Sequence, residues 1–108
     1  MPDIATSPER TADWIEGLSD DIRACVLVGA DGGVASVDSA HAEGGERLAA
    51  LARELLATAG TDQVEISTGS AVVYALRGER WTLAVVTGRF ALSSLVFYDM
   101  RNALEALA

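Results

Sequence analysis

The chain has 108 residues, half of them hydrophobic and 22% charged, which suits one compact domain and argues against both disorder and a second core. Its formal charge is −8, with 16 acidic residues set against eight basic ones, all of them arginine. That balance argues against nucleic acid and anionic membrane surfaces as partners, since both require clustered positive charge. The lack of lysine also removes the P-loop, Schiff-base and kinase chemistries that depend on it. No apolar run approaches the roughly 20 residues that span a bilayer. The opening Met1–Glu9 lacks the basic and apolar parts of a signal peptide, so the expected location is the cytoplasm.

Thr6-Ser7-Pro8-Glu9 predicts the start of a helix: a hydroxyl to cap, Pro for the first turn, and a carboxylate at the positive end. Its apolar side is Thr11, Trp14, Ile15 and Leu18, and Gly17 with Asp20-Asp21 closes it. Residues 1–6 are expected to be flexible. A strand follows over 22–30, with Ala24, Val26 and Val28 on one face and Cys25 and Leu27 on the other. Asp31-Gly32-Gly33 supplies a hairpin turn, and the chain returns as a second strand over 34–38.

Residues 39–45 read as a loop and 46–59 as a helix, with Leu48, Leu51, Ala52 and Leu55 as its apolar stripe. Gly60 is placed to stop it in a left-handed conformation. Residues 63–68 alternate: Val64 and Ile66 point one way, Glu65 and Ser67 the other. After Gly69-Ser70 come two strands, 71–77 and 81–87, joined at Gly78 and apolar or small on both faces, as in a sheet covered on both sides. Leu95–Tyr98 alone has strand propensity. Helical spacing from Leu92 through Leu95, Val96, Met100, Ala103 and Leu104 to Leu107 predicts a closing helix instead.

Candidate chemistry is sparse. Cys25 lies in an apolar run and reads as a small buried hydrophobe; alone, it forms neither an internal disulfide nor a multi-cysteine metal site. His41, with Asp38, Glu43 and Glu46 nearby, has no established ligand spacing, so no metal is expected there. Ser67, Ser70, Ser93 and Ser94 lack a nucleophile elbow, and His41 is the sole imidazole. Gly29–Gly33 precedes a strand, which makes it a turn and not a phosphate cradle. Arg89 reads as an ordinary exposed loop arginine. No catalytic residue and no cofactor is assigned, and the chain is expected not to be an enzyme.

The strand 63–68 carries more meaning. Half polar and short, it fits the edge of a sheet and lacks the Pro or Lys that commonly blocks strand addition. A symmetry mate pairing through Val64, Glu65, Ile66 and Ser67 would satisfy that edge, and this is favoured over a hydrated edge in a monomer.

The order helix, two strands, helix, three strands, helix resembles the Roadblock domain, the dynein light chain type with bacterial relatives. The residues that carry the resemblance are Arg23–Gly33, Gly45–Leu51, Gly69–Leu76, Leu83–Arg89 and Tyr98–Leu104, so it covers nearly the whole chain from Pro8 as one domain, 1–108. Phe90–Leu95 departs from the Asn- or Gly-containing start common before the last helix in that family. The resemblance implies an α+β fold with a five-stranded antiparallel sheet between helices. It also implies a homodimer through strand 63–68 and helix 46–59, and a small Ras-like GTPase as partner, scaffolded or activated without an arginine finger. The implied partner surface is Arg47, Ala50, Arg53 and Glu54. The readings kept beside it are a small-ligand sensor, lowered by inward positions that are nearly all Val, Leu and Ala, and a structural subunit with no GTPase partner.

Overall fold

A computed structural model of the protein describes residues 7–38 and 43–107. A short 3-10 turn, Pro8–Arg10, leads into α1 (Thr11–Glu16). Pro stands at the first position of that turn, where its missing N–H costs nothing. Ser7 contributes through its carbonyl, which accepts the Arg10 N–H and the Thr11 hydroxyl. The chain then runs through β1 (Ile22–Gly29), β2 (Val34–Val37), α2 (Gly45–Ala59), β3 (Gln63–Ser67), β4 (Ala71–Arg77), β5 (Trp81–Gly88) and α3 (Ser93–Leu107).

The five strands form one antiparallel sheet in the order β2-β1-β5-β4-β3. The turns work as their residues predict. Gly32 takes φ +86° between β1 and β2, and Gly60 takes φ +69° as it ends α2, donating its N–H to Leu56. Both positions lie in the left-handed region that glycine enters without steric penalty. The β1–β2 turn closes on Gly29 N–H to Gly33 O at 2.8 Å, and the β4–β5 turn on Gly78 N–H to Trp81 O at 2.8 Å.

Each sheet face buries a different kind of core. On one face α1 and α3 cover Cys25, Leu27, Tyr74, Leu83 and Val85, mostly large or medium side chains. Tyr74 is fully buried and meets Phe97 of α3 edge-to-face, with ring centroids 5.3 Å apart. On the other face α2 alone covers Val26, Val28, Ala75 and Ala84. The alternation read for β1 is therefore observed, with Cys25 and Leu27 facing away from Val26 and Val28.

Two helices depart from their expected stripes. In α2 the sheet-facing residues are Gly45, Ala49, Ala52 and Leu56; Leu48 and Leu55 are half-buried, and Leu51 is 41% exposed. The floor beneath is Ala75 and Ala84, so the helix comes in close and its small residues face the sheet. In α3 the buried residues are Val96, Phe97, Met100, Ala103 and Leu104, whereas Leu92 and Leu95 are exposed. The helix itself forms as its length predicts, with the Leu92 carbonyl accepting the N–H groups of Leu95 and Val96.

Asp38, which directly follows β2, is fully buried. Its Oδ1 accepts the Cys25 N–H at 2.9 Å, and its own N–H donates to the Cys25 carbonyl at 3.0 Å. Burial pushes the Cys25 thiol well above its ordinary range, and the Asp38 carboxylate adds to the shift. The folded state thus holds the thiol proton more tightly than the unfolded chain, whose thiol ionises near about pH 8.5. The stability tied to this proton is intact below that pH and is lost as pH rises above it, by about 1.4 kcal/mol per pH unit. Urea unfolding should show this decline in the parent protein, and Cys25→Ala should flatten it. Equal slopes in the two proteins would refute the assignment.

Candidate functional site

Two features that are only partly covered lie side by side. The first is the outer side of α2. Because Gly45, Ala49, Ala52 and Leu56 take the sheet, Leu48, Leu51 and Leu55, spaced at three and four, turn to its flank. The second is β3, which forms one edge of the sheet and pairs only with β4 among the described residues. Val64, half-buried, packs against the α2 core, and Ile66, two residues on, lies on the same side and is 40% exposed. An apolar helix flank therefore borders an unpaired strand edge. Glu65 and Gln63 point to the other face, where Glu65 accepts the Ser93 hydroxyl at 2.8 Å and Gln63 accepts from Arg101.

The opposite edge is not equivalent. There β2 has four residues, and the Pro8–Arg10 turn and α1 pack against it, with Ala12 N–H donating to the Ser36 hydroxyl. A bare strand edge invites strand addition, and neighbouring elements crowd the approach to β2.

The fold has counterparts among solved structures. A Roadblock/LC7 domain from Streptomyces avermitilis is 27% identical over 87% of this chain and 92% of its own, with a TM-score of 0.72. The fold is that of a Roadblock/LC7 domain. A second such structure from Streptomyces avermitilis has a TM-score of 0.75 at 23% identity, over 89% of this chain and 93% of its own. Myxococcus xanthus MglB shares the fold at 16% identity, with a TM-score of 0.69 over 98% of this chain and 89% of its own. No family model and no curated protein matches the sequence.

Within the Roadblock/LC7 frame, Arg47, Ala50, Arg53 and Glu54 all lie exposed along α2. Arg53 is anchored, its Nη1 donating to the Gly32 carbonyl at 2.8 Å. The other four expected residues, Val64 to Ser67, form the β3 edge, though Glu65 is tied back to α3 through Ser93.

The candidate chemistry stays dispersed. Ser93 donates to Glu65 and lies 3.4 Å from the Tyr74 hydroxyl, with no imidazole in that network. The Arg89 guanidinium stacks 5.2 Å from the Phe90 ring centroid. His41 and residues 1–6 lie outside the described residues, and among the described residues no cluster of His, Cys, Asp and Glu could hold a metal ion. No described helix is long and apolar enough to cross a membrane.

Sequence reasoning missed a third exposed apolar area. Phe90 is 85% exposed and Leu92 69%, with Leu95 and Tyr98 continuing the patch onto α3. Asp99 borders it, its carboxyl pushed above the usual range by partial burial. Helical spacing alone could not separate Leu92 and Leu95 from the core residues beside them; adjacent Phe90 and Tyr98, off that spacing, were the available signal.

The close seating of α2 is testable. A Cβ added at Gly45 would stand 3.0 Å from Val37 Cγ2 and 3.2 Å from Val37 Cβ. Gly45→Ala should push the start of α2 off the sheet and cost on the order of 1–3 kcal/mol in chemical denaturation. An unchanged or raised midpoint would show that the contact has room to give.

Proposed function

We propose that this protein is a non-catalytic, homodimeric adaptor that binds and regulates a small Ras-like GTPase in the cytoplasm, as a scaffold or as an activator of hydrolysis. The observation that supports it most is the junction of Leu48, Leu51 and Leu55 with the bare β3 edge. A two-fold axis beside β3 would pair this strand with its mate through Val64, Glu65, Ile66 and Ser67 and lay the two α2 flanks together. Unpaired backbone groups and half-exposed leucines are satisfied by one operation. The Roadblock/LC7 fold supports the GTPase as partner, and the exposed residues Arg47, Ala50, Arg53 and Glu54 are the surface offered to it.

The dimer is tested by light scattering. The parent protein should have the mass of two chains, and Ile66→Glu or Leu51→Glu should weaken association by about 2 kcal/mol or more, as central interface residues do. A one-chain mass for the parent at micromolar concentration removes the edge-pairing model.

The partner is tested by co-purification with Ras-like GTPases of the host, loaded with GTP or GDP, followed by a hydrolysis assay. Binding in at least one nucleotide state, weakened about tenfold by Arg47→Glu, a loss of roughly 1.4 kcal/mol, is the expected result. Failure to bind in both states eliminates the GTPase reading while leaving the dimer standing.

A further inference from the structure

At the C-terminal end of α2 a cavity of about 330 Å³ opens on the α2 face of the sheet. Its floor is Val28, Leu56 and Thr82, and its rim is made by the β1–β2 and β4–β5 turns. Three of the chain's eight arginines line it: Arg53, Arg77 and Arg80. Against them stand Glu79 in the lining and Asp62, ion-paired to Arg77, which leaves a local charge of +1 in a chain whose net charge is −8.

From this we infer an anion-binding site for the phosphate monoester of a small soluble molecule. Two of the arginines are held in place before any ligand arrives. Arg53 donates to the Gly32 carbonyl, and Arg77 places Nε and Nη2 on Asp62 Oδ1 at 3.0 and 2.8 Å. Arg80 makes no hydrogen bond or ion pair with any described residue, which leaves its planar fork for a ligand. A guanidinium fork matches phosphate oxygens in a bidentate manner, and with Arg77 paired to Asp62 the positive charge open to a phosphate is that of Arg53 and Arg80. Val28 and Leu56 supply an apolar wall for the body of the ligand. The overall charge of −8 repels large polyanions and anionic bilayers at long range, which selects a small ligand over a surface. The cavity shares Arg53 with the proposed partner surface, but Arg80 lies outside that surface and the test needs no protein partner.

The test is an amide chemical-shift titration of the full chain at constant ionic strength, with inorganic phosphate, glycerol 3-phosphate and glycerol. Both phosphates should give saturable shifts centred on Gly29, Gly32, Gly78 and Thr82, and glycerol should give none. Arg80→Gln, an exposed turn substitution, should weaken binding about tenfold, a loss of roughly 1.4 kcal/mol. Arg10→Gln, an exposed arginine that does not line the cavity, should leave it unchanged. Shifts that never saturate, or equal weakening by both variants, would overturn the site in favour of diffuse charge attraction. Flotation with phosphatidic acid vesicles without glycerol 3-phosphate binding would overturn the soluble ligand. Loss of folding in Arg80→Gln would show in its spectrum; Arg80→Lys, which keeps charge but loses the fork, should then weaken binding, and full retention would refute the bidentate contact.

Discussion

The structure depends most on the close approach of α2 to the sheet. Gly45, Ala49 and Ala52 rest on the sheet with Val37, Ala75 and Ala84 beneath or beside them, and a Cβ at Gly45 would already crowd Val37. Packing at this density fills the interface with small side chains and leaves little room for adjustment. Of the leucines of α2 only Leu56 faces the sheet, and Leu48, Leu51 and Leu55 lie on the helix flank. Each large apolar side chain left in water forgoes roughly 1.5–3 kcal/mol of burial, so the same contact that stabilises one chain gives it a reason to associate.

The other face obeys the opposite rule. Tyr74, Leu27, Leu83 and Met100 fill the space under α1 and α3, with the Tyr74–Phe97 contact at its centre. The sheet is thus thick on one side and thin on the other. The thick side supplies most of the large buried side chains and fixes the frame. The thin side leaves the helix flank, the strand edge and the arginine-lined cavity near the surface. Among the described residues, Cys25 is sealed in the core and Ser93 is hydrogen-bonded to Glu65.

Much of this architecture could be read from residues alone. The alternation in 22–30, the glycines at 32 and 60, and the hairpin at Gly78 each encode a local geometry with little competition, and each formed as expected. The stripe of α2 was misassigned because leucine is normally the residue that faces a core. Which face wins there depends on Ala75 and Ala84, thirty residues downstream, and local periodicity contains no such information. The same holds for Asp38, whose burial follows from Cys25 lying on the neighbouring strand. The arginine cluster was equally invisible, because its members come from one helix, one strand and one turn that meet only in the folded chain. Element types were local facts; the facing of elements was not.

The difference between the two sheet edges carries a last consequence. Strand pairing at both edges would let copies add in series without limit, as in a fibre. Here the Pro8–Arg10 turn and α1 occupy the β2 side, and the Asp38–Cys25 hydrogen bonds fasten the end of that strand inside the molecule. The two edges therefore differ in what stands beside them: the β2 side is crowded by the turn and α1, and the β3 side is bare.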